Sequence, residues 1–291
     1  MGIVDKDGYK FLDGLAKEYI VIESNRLEEY IKYINENDVK AVYLSNSHYN
    51  ENSIDFLDRC NKIKEINITS ESIKNYDGLR QLTELIKLNI DEPKGIVDLN
   101  YNKNTLQELI VAMNNKIKNL SSLNKLKRLR LWKYKPKIGN LEEIREIISL
   151  ESLGILQSPI LSLSGIEKLV QLKELEISRL TKLEDISCIN SLAQTLTRCR
   201  INYCKNIKNI ECIRYNSQLL ELGIDENGEL MNLDFVKELI HLRKLTFVNT
   251  KIINGDLSPC VGIEYVGFMD KPYYTHTFEE LNPNFKIEKK M

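Results

Sequence analysis

Six cysteines, three histidines and one tryptophan are the residues of this 291-residue chain whose types most readily carry chemistry. Cys188, Cys199, Cys204 and Cys212 crowd one stretch as zinc ligands would, but structural zinc sites are built on Cys-x-x-Cys pairs, and the sequence has none. Cys60 and Cys260 stand where Leu82, Leu123, Leu169 and Leu239 stand elsewhere in a longer period, which predicts free, inert thiols acting as small buried hydrophobes. A Cys-His or Ser-His nucleophile needs a histidine poised beside it in a cleft. His241 falls between Leu239 and Leu242, His48 and His276 lie in polar surroundings, and no pattern aims any of them at a nucleophile. There is no Gly-rich phosphate loop and no clustered acid motif, and Glu174 with Glu176 fits a surface charge pattern better than acid-base work. The chain therefore reads as non-catalytic, without cofactor or metal.

What remains is the chemistry of recognition. Arg128, Arg130, Trp132 and Tyr134 alternate along one segment, with Ile110 and Leu156 at equivalent places in the segments before and after. Tryptophan, tyrosine and arginine are the side chains most enriched where binding energy concentrates. These six residues, with Glu176 and Arg200 as a polar rim, are the expected partner-binding surface. The competing expectation is that Trp132 only covers the aliphatic stem of a neighbour.

Such a surface needs a frame, and the frame is a repeat. A triplet spaced Leu-x-x-Leu-x-Leu returns about every 22 residues, with its last residue at Ile22, Leu44, Ile68, Ile90, Val111, Leu131, Ile155, Ile177, Ile201, Ile224, Phe247 and Phe268. Two positions before each anchor the residue is again apolar, from Ile20 and Val42 to Leu245 and Val266. Five before, the column runs from Val39 to Ile263 and fails only at Lys17. The last two columns alternate with polar residues, the period of a strand with one buried face. Strands so spaced, with a return between them, must lie parallel in one sheet. Returns at Ile54 to Arg59, Leu141 to Ile148 and Leu233 to Ile240 follow Asn52 or Ser53, Asn140 and Asn232, which predicts N-capped helices. Thr181 to Ile189 reads as irregular.

Charge supplies an independent register. Three residues before the anchor, successive repeats carry Glu65, Lys87, Glu108, Arg128 and, later, Glu174, Arg198, Glu221, Lys244. Side chains on neighbouring parallel strands stand about 4.8 Å apart, so alternation of sign is what an in-register sheet favours.

Composition narrows the partners. Net charge is -1, so no global basic field draws nucleic acid or an anionic membrane. The first ten residues lack the basic start and apolar core of a secretory signal, and no apolar run is long enough to span a bilayer. The expectation is a cytoplasmic, monomeric protein, with non-classical export left open.

The columns resemble the leucine-rich repeat, Leu-x-x-Leu-x-Leu-x-x-Asn/Cys-x-Leu. Leu172, Leu175 and Ile177 fit it, as do Leu196, Cys199, Ile201 and Cys204. The period is similar to the roughly 22-residue class of bacterial internalin-type proteins. The resemblance implies an α/β fold, a right-handed leucine-rich-repeat solenoid (horseshoe), with a parallel β-sheet on the concave face and helices and irregular turns on the convex face. It implies a single domain over 1–291: an N-terminal cap at 1–17, about twelve repeats over 18–269, and a C-terminal cap and tail at 270–291. The aromatics of Asp270 to Phe278, and Tyr9, Phe11, Leu12 and Leu15 at the other end, are expected to close the apolar column. Three residues after the anchor stand Asn25, Asn114, Cys204 and Asn227, but Pro93, Tyr134, Leu180 and Lys271 elsewhere, so the asparagine ladder of ideal repeats is patchy. The function implied is a recognition module for a protein partner on the sheet, as an immunity or regulatory protein. The alternatives are a bacterial effector acting on host proteins, or an enzyme with its site in an irregular return loop.

Overall fold

The computed structural model describes residues 2–13 and 18–285. It falls into two compact units, residues 1–133 and 134–291. The first unit opens with an antiparallel hairpin, β1 (Gly2–Lys6) and β2 (Tyr9–Asp13), and β2 pairs antiparallel with β3 (Tyr19–Val21). From β3 onward each strand pairs parallel with the next: β4 (Ala41–Leu44), β5 (Glu65–Ile68), β6 (Lys87–Ile90), β7 (Glu108–Ala112) and β8 (Arg128–Trp132). The second unit holds β9 (Ser152–Leu156), β10 (Glu174–Ser178), β11 (Arg198–Asn202), β12 (Glu221–Gly223), β13 (Lys244–Thr246) and β14 (Tyr265–Gly267), all parallel.

The predicted register holds at every pair described within each unit. Val42 faces Ile66, which faces Leu88, then Leu109 and Leu129; in the second unit Leu153, Leu175, Cys199, Leu222, Leu245 and Val266 align in turn. These residues and the anchors are buried throughout, with Phe268 at the end of the second unit the most accessible at 8%. The third column is buried from Ile63 to Leu242 and half-buried towards its ends, at Val39 and Ile263. Lys17 and Leu15 lie outside the described residues. No coil can bury its own apolar face, so each owes its stability to the next.

The returns differ from the expectation of N-capped α-helices. They are 3₁₀ turns at Asp55–Arg59, Asp77–Gln81, Leu99–Asn102 and Leu120–Ser122, and at Ile166–Lys168, Ser187–Leu192, Ile210–Tyr215, Asp234–Glu238 and Ser258–Cys260. Leu141 to Ile148 is a run of turns. A 3₁₀ turn advances about 2.0 Å per residue against 1.5 Å for an α-helix, so it crosses the coil with the few residues available. The supposed caps are side-chain turns instead: Asp55, Glu142 and Asp234 each donate a backbone N–H to the side-chain oxygen two residues back, at Ser53, Asn140 and Asn232. The one long helix, α1 (Leu27–Glu36), buries Tyr30, Ile31 and Ile34 beneath the N-terminal hairpin's aromatics, with Tyr9 4.0 Å from Tyr33.

At the far end of the second unit, Phe268 stacks on Phe247 at 5.1 Å and meets Tyr274 and Phe278 at 6.0 and 6.1 Å. Thr277 and Glu280 form a capping box for a single helical turn, α2 (Phe278–Leu281). Just beyond it Asn282 accepts from the Val266 N–H at 2.8 Å and donates to the Val266 carbonyl at 2.9 Å, which satisfies the edge of β14.

Candidate partner-binding face

Alternation along each strand sends the residues beside the anchors to the face opposite the returns. In the first unit this face is a set of rows. Glu65, Lys87, Glu108 and Arg128 form one, and Asn67, Asn89, Ile110 and Arg130 the next. Lys87 binds Glu108 at 3.1 Å, and the Asn89 amide donates to the Asn67 oxygen at 2.9 Å. The third row ends with Ala112 beside Trp132. The Arg130 guanidinium lies 5.3 Å from the centre of the Trp132 ring. Arg128 is exposed, while Ile110, Arg130 and Trp132 are half-buried, so the tryptophan keeps one flank on its neighbours and one in water. The ring is thus covered in part by the Arg130 guanidinium and stays partly accessible.

In the second unit the equivalent rows are Ser152, Glu174, Arg198, Glu221, Lys244, Tyr265 and Gly154, Glu176, Arg200, Gly223, Thr246, Gly267. Arg198 bridges Glu174 and Glu221, the latter at 3.1 Å, and Arg200 reaches Glu221 at 3.5 Å. Glu174 thus sits in a charge ladder, as the sequence suggested, and Glu176 stands beside Arg200 in the register. Leu156 is half-buried and Arg200 exposed.

Tyr134 is a correction. It is 2% exposed, so it cannot meet a partner. It sits three residues after the anchor, where the chain turns inward, and burial followed by the Glu143 carboxylate pushes its hydroxyl well above the usual tyrosine range. That same position carries a feature the sequence reading undervalued. Ser158 donates to the Tyr134 carbonyl at 2.5 Å, Asn227 accepts from the Cys204 N–H at 2.7 Å and donates to the Ile201 carbonyl at 2.6 Å, and Thr250 accepts from the Asn227 N–H and donates to the Ile224 carbonyl. Serine and threonine extend the ladder that a count of asparagines alone called patchy. Their spacing, three after the anchor, was the available signal.

The six cysteines are free thiols, and burial raises their pKa: to about 11 at Cys60 and Cys204, and to about 12 at Cys199, Cys212 and Cys260. Cys188 is raised by burial and then by Glu167. Among the described residues no three His, Cys, Asp or Glu side chains gather as a metal site, and no helix is long and apolar enough to cross a membrane. His48 Nδ1 lies 2.9 Å from Ser45 Oγ, a contact that closes one turn, and His276 pairs with the adjacent Thr275.

No family model matches the chain, and no curated protein sequence matches it. Among solved structures it is similar to an internalin (inlF) from Listeria monocytogenes, with a TM-score of 0.59 and 20% identity over 83% of this chain and 70% of that one. It is also similar to the functional domain of InlJ from the same organism, which includes a cysteine ladder (TM-score 0.50, 16% identity, 78% of this chain and 48% of that one). The internalin C2 structure, also from Listeria monocytogenes, gives a TM-score of 0.49 at 19% identity, over 66% of this chain and 83% of that one. The fold of this chain is the leucine-rich-repeat solenoid that internalins share.

Proposed function

We propose that the chain is a non-catalytic recognition module that binds a protein partner on the strand face opposite its returns. The observation that carries the reading is the Arg130–Trp132 pair on β8, 5.3 Å apart, half-buried beside Ile110 and Ala112. A tryptophan held by a cation and floored by apolar neighbours is preorganised, and little side-chain entropy is lost when a partner covers it. Arg128 and Ile110 belong to the same patch; Leu156, Glu176 and Arg200 offer a second set on the other unit. Within this reading the protein is a cytoplasmic monomer acting as an immunity or regulatory protein.

The test is capture by the immobilised chain, read by mass spectrometry, with the double variant Trp132→Ala/Arg130→Ala beside it. The expected result is a partner retained by the parent and lost by a variant that melts at the same temperature. Retention at full affinity by the variant would sink the assignment of this face.

A further inference from the structure

We infer that the outer edge of β1 is a self-association site, at which a second copy of this chain adds its own β1 antiparallel across a two-fold axis at Val4. The inference goes beyond the recognition reading and does not rest on it. The first observation is a contrast of sheet edges. In the second unit the edge of β14 is closed by the Asn282 side chain. In the first unit β1 ends the strand order with β2 on one side only, and its residues are exposed apart from half-buried Val4. The hairpin turn fixes which backbone groups this open edge presents. Asp7 and Gly8 are both left-handed, at φ 52° and 79°, as a two-residue hairpin loop requires, so Lys6 and Tyr9 form a hydrogen-bonded pair. Bonded pairs alternate along an antiparallel ladder, so Val4 with Phe11 is bonded too, while Asp5 with Lys10 and Ile3 with Leu12 are not. The Lys10 N–H accordingly turns away from β1, with the Tyr30 hydroxyl 3.4 Å from it. The N–H and C=O groups of Ile3 and Asp5 therefore point outward, and among the described residues no strand receives them.

The second observation is that this edge complements itself. Centred on Val4, the register pairs Ile3 with Asp5 of the second copy and Asp5 with its Ile3. Each pair exchanges both N–H···O bonds, and every outward group is used. Val4 meets Val4 of the second copy at the closer, non-bonded spacing of about 4.5 Å, an apolar contact. Gly2 lies opposite Lys6 of the second copy, and nothing stands within 4 Å of where a Gly2 side chain would begin, so the lysine stem has room. No like charges are directly opposite: Lys6 pairs with Glu18 of its own chain, and Asp5 keeps Lys10 at 4.0 Å. Moving the centre to Asp5 would set two carboxylates face to face, and moving it to Ile3 would carry Asp5 past the end of the second β1. The hairpin is held before the copies meet. Arg26 donates to the Gly8 carbonyl at 2.8 Å and Lys10 binds Glu23 at 2.9 Å, so little ordering is lost on pairing. Two five-residue strands cover well under the roughly 1,200 Å² of a stable interface, so the pair is weak and the chain is a monomer when dilute.

Sedimentation velocity of the full chain, from about 10 μM to about 1 mM, reads the pair directly. The expected result is a sedimentation coefficient that climbs towards that of a dimer in the upper part of this range. Ile3→Pro removes an outward N–H and no bond to β2, at the kind of edge position where a strand tolerates proline. It should abolish the climb at unchanged melting temperature. Should that variant fold poorly, Gly2 tests the register, since it has no positive φ and open space for a side chain. Gly2→Glu sets a carboxylate opposite Lys6 of the second copy at both ends of the pairing and should tighten association roughly threefold to tenfold. Gly2→Lys should weaken it by a similar factor. Trp132→Ala/Arg130→Ala should leave association unchanged, which separates this edge from the proposed partner face. A parent that stays monomeric at about 1 mM, as it would if the edge served only a strand of another protein, overturns the inference. So does association that survives in a well-folded Ile3→Pro, a shared sign for the two Gly2 variants, or loss of association in the Trp132 and Arg130 double variant.

Discussion

The two units solve the same problem, leaving a strand and turning into a return, in two ways. In the second unit the residue two after the anchor is left-handed in five successive coils: Gln157, Arg179, Tyr203, Glu226 and Asn249, with φ between 54° and 59°. Four of these N–H groups donate forward to the next coil, Gln157 to the Ser178 carbonyl and Arg179 to that of Asn202, both at 2.9 Å, then Tyr203 to Asp225 and Glu226 to Val248. In the first unit only Lys133, at its last coil, has this geometry. There Thr69 and Ser70 donate backward to the Leu44 carbonyl and Asp91 to that of Ile68, while Ser24 and Met113 donate forward, to His48 and Trp132, without a left-handed turn. The position after the turn differs in degree. It holds the buried ladder of Ser158, Cys204, Asn227 and Thr250 in the second unit; in the first it holds exposed Ser47 and Glu71, buried Pro93, and Asn114, which donates to the Pro93 carbonyl. The left-handed turn costs about 1 kcal/mol or more for a residue with a Cβ. It aims the following side chain inward, where the ladder offsets that cost. A more regular unit and a less regular one thus follow the same strand register within themselves and differ in how their coils are bonded at the exits.

The largest effects test the part both units share. Leu175→Asp places an unpaired carboxylate in a column position that is 1% exposed, and Leu88→Asp does so in the other unit at 0%. Each should cost several kcal/mol, about 3 or more, read by urea unfolding. A Leu175→Asp protein that unfolds like the parent would disprove the register. Next comes the ladder itself. Asn227→Ala removes the partners of the Cys204 N–H and the Ile201 carbonyl, both left buried, for about 2 to 4 kcal/mol. Asn114→Ala, which loses one bond to the Pro93 carbonyl at 2.9 Å, should cost about 1 kcal/mol. Equal costs would erase the distinction between the units.

The shared architecture was legible because it rests on period and sign. Twelve anchors with an apolar residue two before each, and charges alternating from Glu65 to Arg128 and from Glu174 to Lys244, fix strand, face and register without any long-range knowledge. The returns were not legible, because an amphipathic run of six to eight residues satisfies a 3₁₀ turn and an α-helix alike, and only the width to be crossed decides. Tyr134 was misread for a related reason. Simple alternation from Trp132 puts it outside, but the left-handed turn at Lys133, φ 53°, ends the alternation and turns it inward. The remaining surface residues were placed correctly by alternation alone, since β7 to β11 stay extended across them.

Cysteine reactivity can time the opening of the two units separately, since Cys60 is the only thiol of the first and the other five lie in the second. With thiols held at about 11 to 12 by burial, labelling at pH 8 should be slow in the folded protein and complete after denaturation. Folded pKa values above the unfolded value of about 8.5 mean that the unfolded chain loses these protons first. Stability from this source is therefore whole below about pH 8.5 and declines as pH climbs towards 11 to 12. The decline should be steeper for the second unit. Fast labelling of two or more cysteines at pH 8 would contradict the burial.

The turn geometry gives a smaller and more pointed contrast. Gln157→Gly relieves a left-handed residue whose N–H bond to Ser178 is retained, so it should stabilise by up to about 1 kcal/mol. Glu92→Gly, at the equivalent place in the first unit, has no positive φ to relieve and also removes the ion pair to Lys133 at 3.6 Å. It should destabilise by a few tenths to about 1 kcal/mol. Opposite signs in thermal melts are the expected result, and a shared sign would mean that the turn class is not what separates the units.

The smallest effect expected is in the charge ladder, and here the units should differ in degree only. Arg198 stands between Glu174 and Glu221, so Arg198→Met leaves two carboxylates facing each other across one strand, whereas Lys87→Met leaves Glu108 without its 3.1 Å partner. The side chains concerned keep a quarter to two-fifths of their surface in water, so screening limits either loss to about 1 kcal/mol, the Arg198 change the larger. Raising salt should narrow the gap between the two variants, because the repulsion left by Arg198→Met is the long-ranged part. A loss from either variant that exceeds the Asn227→Ala cost would mean that the ladder of charges, and not the buried columns and polar exits, holds adjacent coils in register.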